Sequence, residues 1–171
     1  GSTSTKISIY NNDVPIFEEK ISHSFETILS FPDICSQMDF RKDAILNALA
    51  KSNFDCNSLT CVCGRGGMLK PLASGTYTIS EEMVNDLREA KYGQHASNLG
   101  TLIAYEFGKK FNIPSFIVNP VSVDEMEDIA RISGIPGIVR ESFFHVLNHK
   151  AIGKQVAKDY NKKYEDMNMI I

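Results

Sequence analysis

Hydrophobic and polar residues alternate along the first part of the chain and then change to helical spacing. Residues 6–10 and 14–22 alternate on either side of Asn11-Asn12-Asp13, which predicts a hairpin of two strands. Pro15 predicts an irregular or edge position in the second strand, because proline cannot donate a ladder hydrogen bond. Residues 41–50 carry apolar side chains three and four apart, which predicts a helix.

The rest of the chain predicts alternating strands and helices. A short apolar strand over 59–63 runs into Gly64-Arg65-Gly66-Gly67, and Ser80 followed by two glutamates indicates a helix start. The other predicted elements are a helix over 96–111, a strand over 115–118, a helix over 142–160 and a closing strand over 167–171. This order predicts an α/β domain with a mixed sheet.

Composition fits one domain and excludes several classes of function. The 171 residues can bury a full core, and 43% hydrophobic with 23% charged residues is typical of a globular domain. The net charge of −3 gives no reason to expect a nucleic-acid partner, and no apolar run is long enough for a membrane span. The cysteines lack zinc spacing, so we expect free, buried thiols in a reducing cytoplasm: Cys35, Cys56, Cys61 and Cys63.

The first six residues, Gly1-Ser2-Thr3-Ser4-Thr5-Lys6, have the composition of a phosphate-binding loop. Backbone N–H groups and hydroxyls can converge on an anion there, and the lysine adds positive charge. The strand that follows would hold this opening loop against a sheet. The alternative is that Gly-Ser is a cloning remnant in front of a disordered tail.

A second candidate is Gly64-Arg65-Gly66-Gly67 at the end of a predicted strand, where α/β proteins bind ligands. Glycine permits close backbone approach, and arginine can hold a carboxylate or phosphate with two parallel hydrogen bonds. The alternative is a loop that needs glycine for its shape and has a solvated arginine.

Histidines and acidic residues give weaker signals. His95 precedes a predicted helix and can equally face a ligand or the solvent. His145 and His149 share a helix face, but no glutamate follows His145 and no third ligand is set by spacing, so a polar cleft is a better interpretation than a metal site. An acidic cluster follows Asn119-Pro120 and is interpreted mostly as a solvated helix face: Asp124, Glu125, Glu127 and Asp128.

Six short segments of the chain, taken together and in this order, form a combination that is specific for one family. The set comprises GSTSTK at 1–6, GRGGMLKP at 64–71, SGTY at 74–77, HASNLG at 95–100, ARISG at 130–134, and FH at 144–145 with Asn148. With this combination the chain resembles the acetate-kinase family of the actin-like ATPase superfamily, and within it the members that act on butyrate. The resemblance extends over essentially the whole chain. It implies a ribonuclease H-like domain with a mixed sheet flanked by helices.

The resemblance implies reversible transfer of the ATP γ-phosphate to butyrate, giving butyryl phosphate and ADP, with Mg²⁺ bridging the phosphates. The alternatives are a kinase for acetate, propionate or a branched-chain acid, and a non-catalytic nucleotide-binding scaffold. The implied partners are a small carboxylate and ATP or ADP, with a homo-oligomer in the full-length protein. The implied location is the cytoplasm.

The resemblance also implies roles for individual residues. The ATP phosphates would be contacted by Ser2, Thr3, Ser4 and Lys6, and the acyl substrate by Arg65, His95 and Asn98. Arg65 and His145 would act in catalysis, and His149 occupies a second family histidine position. Asn119 stands where the family usually has an aspartate, which puts charged placement of the metal in doubt; Asp124 is the alternative residue for that role.

The resemblance finally implies a domain organisation. The family's chain is longer and has an Asn-Pro and a first strand ahead of the opening loop. We therefore expect residues 1–171 to be an N-terminal acyl- and phosphate-binding domain that lacks its first strand, with the nucleotide domain outside this chain. Domain closure excludes water in such kinases, so the isolated segment is expected to be inactive.

Overall fold

The computed structural model describes residues 2–142 and 146–169, which form two sheets packed with helices. Strands β1 (Ser4–Asn11) and β2 (Val14–Ser22) pair as an antiparallel hairpin. In the second sheet, β3 (Val62–Arg65) is parallel to β5 (Ser115–Val118), and β4 (Thr76–Thr78) is antiparallel to the other side of β5. The predicted mixed sheet is therefore confirmed.

Five α-helices lie in the described residues: α1 (Phe25–Leu29), α2 (Met38–Lys51), α3 (Glu81–Arg88), α4 (Asn98–Phe111) and α5 (Val146–Asp159). Short 3-10 turns occur at Cys35–Gln37, Cys56–Ser58, Asp128–Arg131 and Tyr164–Asp166. The helix start predicted at Ser80 is confirmed, since its hydroxyl accepts a hydrogen bond from the Met83 N–H at 3.2 Å. No described helix has the length and apolar character that a membrane crossing requires.

Helix α4 contributes to both hydrophobic clusters. Leu102 and Ala104 belong to the first cluster, together with Ile117 of β5 and residues of α3. Other α4 residues form the second cluster with α2 and the hairpin: Leu99, Ile103 and Phe107 with Ile9, Ile45 and Leu49. Burial on both sides fixes α4 against both sheets. The HASNLG segment, which leads into the first turn of α4, lies at the end of β3.

The hairpin has the predicted turn and irregularity. Asn12 adopts a left-handed conformation with φ 53°, which asparagine tolerates better than most residues. The pairing register shifts between Ile9 and Tyr10, where Tyr10 lies opposite Pro15. The proline therefore sits at a break in the ladder, as its missing N–H predicts.

Several element bounds differ from the prediction; α2, for example, begins at Met38 rather than at residue 41, and α4 begins at Asn98 rather than at residue 96. Strand β3 covers residues 62–65 rather than 59–63, because Cys56–Ser58 forms a helical turn and pairing with β5 begins at Val62. The closing strand is not found over 167–169, which are irregular, and residues 170–171 lie outside the described residues. The last helix is described from Val146, and residues 143–145 lie outside the described residues.

The thiols are free, but the expectation that they are buried is wrong. Cys61 and Cys63 are exposed, and Cys35 and Cys56 are partly buried. Cys61 precedes β3, and Cys63 lies on the solvent side of this short strand rather than in the core. A short apolar run does not by itself show which side of a strand faces the core.

Candidate functional site

The carboxyl ends of the parallel strands β3 and β5 meet at one edge of the second sheet. Arg65 is the last residue of β3 and pairs with Val118, the last residue of β5; Val118 also pairs with Thr76 at the start of β4. Asn119 follows directly after Val118. The sheet therefore brings Arg65 and Asn119 to the same edge, as predicted for ligand sites of α/β proteins.

Two glycines bring β3 and the first turn of α4 into direct backbone contact. A Cβ atom on Gly64 would lie 2.5 Å from the Gly100 carbonyl oxygen, and a Cβ atom on Gly100 would lie 2.5 Å from the Arg65 carbonyl oxygen. The Thr101 hydroxyl donates to the Gly66 carbonyl at 2.7 Å. The start of α4 is therefore fixed against the glycine-rich loop, and its partial positive charge lies beside the strand end.

Gly66 and Gly67 complete this loop with backbone conformations that suit glycine. Their φ angles are 99° and 132°, and a Cβ atom on Gly66 would lie 2.6 Å from the Cβ of Ser97. Both conformation and space thus require glycine at position 66. The interpretation that this loop needs glycine for its shape is therefore confirmed.

The Arg65 side chain is exposed, and within residues 2–142 and 146–169 it has no hydrogen-bond or ion-pair partner. Three other arginines bind protein oxygens, namely Arg41, Arg88 and Arg131, whereas the exposed Arg140 resembles Arg65 in having no side-chain partner among the described residues. A guanidinium left available beside a helix N-terminus is suited to bind a carboxylate or phosphate.

Asn98 lies behind this loop and connects it to the preceding segment. Its side chain is 1% exposed; Oδ1 accepts from the Met68 N–H at 2.9 Å, and Nδ2 donates to the Gly93 carbonyl at 3.0 Å. The amide is thus used to hold two stretches of backbone. The resemblance implies that Asn98 binds the substrate, and the structure shows its amide buried and bound to the backbone of Met68 and Gly93.

His95 lies at the surface just before α4. Its Nδ1 atom accepts a hydrogen bond from the Ser97 N–H at 3.2 Å and lies 2.8 Å from the Ser97 hydroxyl. This local contact orients the imidazole at the start of the helix. His95 is therefore held near the strand end that Arg65 occupies, since Ser97 touches Gly66.

Asn119 forms a closed pair with Gly75. Its backbone has φ 45°, its Oδ1 accepts from the Gly75 N–H at 2.8 Å, and its N–H donates to the Gly75 carbonyl at 3.0 Å. Asparagine is among the few residues with a side chain that readily adopt this left-handed conformation. The amide oxygen therefore closes the loop in front of β4.

Asp124 is bound by its own neighbours. Arg131 donates to both carboxylate oxygens at 2.8 and 3.0 Å, and the Met126 N–H donates at 3.0 Å. The side chain is 9% exposed, and the hydrogen bonds from Arg131 lower the pKa of this carboxyl. The expectation of a helical face is wrong here, because residues 124–127 are irregular and held by these contacts. No sequence pattern indicates Arg131, seven residues later, as the partner of this carboxylate.

Glu125 joins three segments. It accepts hydrogen bonds from the N–H and the hydroxyl of Ser74, the first at 3.0 Å, and forms an ion pair with Lys150 of α5 at 2.5 Å. These contacts lower the pKa of Glu125 to about 2, with the Lys150 hydrogen bond as the largest cause. The residues lie 51 and 25 positions apart in sequence, so no local pattern indicates this junction.

The opening loop lies at the start of the hairpin. Ser2 and Thr3 form an exposed turn, Ser4 is buried as the first residue of β1, and Lys6 is exposed within that strand. The Thr3 carbonyl accepts a hydrogen bond from the His23 N–H at 2.9 Å. The predicted phosphate contacts thus divide into a turn and a strand, in a different sheet from Arg65 and Asn119.

The remaining candidates lie on or before α5. His149 is exposed, whereas His145 lies outside the described residues. Within the described part of the chain, no group of three or more histidine, cysteine, aspartate or glutamate side chains is arranged to hold a metal ion.

Comparison with known proteins agrees with this architecture. No protein-family model matches the chain. The fold is similar to the crystal structure of acetate kinase from Entamoeba histolytica, with a TM-score of 0.50 at 14% identity, over 94% of this chain and 44% of that one. At this identity the similarity shows the fold alone, and it confirms the predicted acetate-kinase fold.

The sequence relatives are closer. The chain is 50% identical over all 171 residues to a probable butyrate kinase of Clostridium botulinum and to butyrate kinase 1 of Clostridium acetobutylicum. It spans about half of each relative, 48% of the length. With half of its residues identical, the chain is thus similar to butyrate kinases along its whole length.

Proposed function

We propose that the full-length protein transfers the γ-phosphoryl group of ATP to butyrate, giving butyryl phosphate and ADP, and also catalyses the reverse reaction. The observation that carries this proposal is Arg65: an exposed guanidinium at the carboxyl end of β3, beside the start of α4, with no partner among the described residues. Such a group is suited to an anionic substrate. The names of the two clostridial relatives support butyrate as that substrate.

The reaction brings two anions together, so positive charge and hydrogen-bond donors must offset their repulsion. Arg65 would hold the butyrate carboxylate or the transferring phosphoryl group with two parallel hydrogen bonds. His95 would line the acyl site beside it, and Asn98 would keep the loop between them in place. No strong base is required, because the carboxylate of butyrate is ionised near neutral pH.

The opening loop would contact the nucleotide phosphates. Its exposed turn offers the hydroxyls of Ser2 and Thr3, and Lys6 adds a positive charge from the adjoining strand. Ser4 is buried as the first residue of β1, so it would contribute from inside the loop rather than from its exposed turn. His145 would stabilise charge on the transferring phosphoryl group, and His149 is an exposed residue of α5.

Mg²⁺ has few ligands among the described residues. The amide oxygen of Asn119 is bound by Gly75, and the carboxylate of Asp124 is bound by Arg131 and Met126. These residues therefore do not fit a carboxylate cage for the ion. We propose that Mg²⁺ arrives with ATP and is held by phosphate and water oxygens.

The test is a hydroxamate assay on the full-length protein. ATP, MgCl₂ and hydroxylamine are combined with acetate, propionate, butyrate or isobutyrate, and reactions without ATP serve as the control. We expect butyrate to give the fastest hydroxamate formation. Faster reaction with another acid would correct the substrate, and no product with any acid would favour a nucleotide-binding scaffold.

Residues 1–171 would form the acyl- and phosphate-binding domain of this enzyme. The same assay on the isolated segment is expected to show no acyl phosphate, because a cleft that closes over ATP needs the remainder of the protein. Measurable turnover by the segment would contradict this organisation. Light scattering on the full-length protein tests the predicted homo-oligomer.

A further inference from the structure

A buried arginine connects α2 to the opening loop. Arg41 is 3% exposed, and its guanidinium reaches from the helix to the hairpin. Nη1 donates to the Ser4 carbonyl at 3.0 Å, and Nη2 donates to the Ser2 carbonyl at 2.6 Å. A buried charge is costly unless it is hydrogen-bonded, so these carbonyls stabilise the guanidinium while it holds them in place.

Gln37 orients the guanidinium from one turn earlier in the chain. Its Oε1 atom accepts from Arg41 Nε at 3.1 Å and from Nη2 at 2.9 Å. Gln37 is itself buried. The guanidinium of Arg41 is therefore held by a residue of its own helix start as well as by the loop. A lysine at position 41 could not form the same set of hydrogen bonds.

Thr5 and His23 extend the contact across the hairpin. Arg41 Nη1 donates to the Thr5 hydroxyl at 3.2 Å, and the same hydroxyl lies 2.8 Å from His23 Nε2. The hydroxyl oxygen accepts from Arg41, and its own hydrogen is available for Nε2 when that nitrogen carries no proton. Burial, followed by the charge of Arg41, lowers the pKa of His23, which agrees with a neutral imidazole that accepts this bond.

The backbone of the loop is thus held at consecutive residues. The carbonyls of Ser2 and Ser4 face Arg41, and the Thr3 carbonyl accepts from the His23 N–H at 2.9 Å. In a planar trans peptide the N–H points away from the carbonyl of the same unit. The Thr3 N–H therefore points away from Arg41, on the opposite side of the peptide that the arginine anchors.

We propose that Arg41 is a positioning residue for nucleotide binding. It fixes the Ser2–Thr5 backbone so that the Thr3 N–H and the hydroxyls of the exposed turn present donors to a nucleotide phosphate. The proposal rests on the proposed role of the opening loop in binding ATP. Arg41 acts through the loop and does not touch the substrate.

The test compares Arg41→Lys with wild type in the full-length protein. Lysine keeps the positive charge but lacks the planar guanidinium that binds both loop carbonyls. We therefore expect Kd for MgATP, measured by calorimetry, and KM for ATP to rise about tenfold. KM for butyrate should stay within about twofold, because the loop is assigned to the other substrate. Lys51→Gln, an exposed cation on the same helix, is the matched control and should change neither constant.

An Arg41→Lys protein that is folded by circular dichroism and binds MgATP like wild type overturns the proposal, as does an equal rise in both KM values. If Arg41→Lys does not fold, Thr5→Val decides, because it removes the hydroxyl contact and nearly keeps the side-chain shape. A weaker MgATP affinity with unchanged KM for butyrate supports the proposal. An unchanged affinity for MgATP overturns it.

Lys6→Ala and Ser2→Ala separate this inference from the function on which it rests. If both leave MgATP affinity unchanged, the assignment of the loop to ATP is wrong. If they weaken MgATP binding while Arg41→Lys does not, the loop keeps its role and only the positioning by Arg41 is wrong.

Discussion

Asn119 and Gly75 bind each other twice, through the side-chain oxygen of Asn119 at 2.8 Å and through its backbone N–H at 3.0 Å. The asparagine thus has a structural function at the position where the resemblance implies an aspartate. The bond needs only an oxygen acceptor, which a carboxylate also provides. The structural and the chemical roles of this position are therefore separable.

Asn119→Asp is expected to preserve or raise turnover of the full-length protein. One carboxylate oxygen can keep the Gly75 contact, and the other can add negative charge for the metal that accompanies ATP. Asn119→Ala is the comparison, because it removes the acceptor and places alanine at φ 45°. A large fall in kcat for Asn119→Asp, with unchanged thermal unfolding, would contradict this prediction.

Arg65→Ala is expected to impair the use of butyrate more than the use of ATP. Loss of a charge-assisted pair costs about 1.5–3 kcal/mol, so KM for butyrate should rise at least about tenfold. Steady-state kinetics with each substrate varied in turn measures the difference. Arg88→Ala removes a surface arginine bound to Glu106 and should leave the kinetics unchanged. Unchanged butyrate kinetics in Arg65→Ala would show that Arg65 does not bind the substrate.

Gly100→Ala is expected to destabilise the protein by about 1–3 kcal/mol, because its Cβ would overlap the Arg65 carbonyl. Helix propensity alone predicts the opposite sign, a gain of about 1 kcal/mol for alanine in a helix. Urea unfolding therefore distinguishes the two effects. Gly137→Ala serves as the control: its Cβ meets nothing within 4 Å, and only the strain of φ 82° remains. A more stable Gly100→Ala protein would show that β3 and α4 can separate.

Glu125 is expected to make stability depend on pH in the acid range. Its contacts depress the pKa from 4.5 to about 2 in the folded protein, so its contribution is present above pH 4.5 and is lost as the pH falls toward 2. After allowance for solvent screening, that contribution is on the order of 1 kcal/mol. When the pH is lowered from 6 to 3, the free energy of unfolding should therefore fall more for wild type than for Glu125→Gln.

Glu127→Gln is the control for this measurement, since it makes the same charge change at an exposed neighbour. It should keep the pH dependence of wild type. An identical pH dependence for wild type and Glu125→Gln would show that the Ser74 and Lys150 contacts do not contribute in solution.

The sequence predicted what short-range physics determines. The hairpin, the cap at Ser80 and the strand at 115–118 follow from alternation, turn residues and capping, and the structure confirms them. The bounds of β3 could not be predicted in this way, because they depend on pairing with β5, which lies about fifty residues later. Local periodicity contains no information about that partner.

The candidate site shows the same division. Glycines around Arg65 indicated a close backbone approach, and the structure supplies the neighbour that requires them, the first turn of α4. By contrast, the partners of Arg41, Asp124 and Glu125 were missed. Hydrogen bonds between residues far apart in sequence, such as Glu125 with Lys150, arise only from the folded arrangement of the elements.

The backbone contact between Gly64 and Gly100 also has a mechanical consequence. With no side chain between them, β3 and the first turn of α4 have no compressible layer that could absorb a relative displacement. Any movement of α4 during a catalytic cycle would carry the backbone of Arg65 with it. If Arg65 binds the carboxylate as proposed, selection among acids of different chain length would depend on other side chains, because the backbone of Arg65 keeps a fixed distance from the helix.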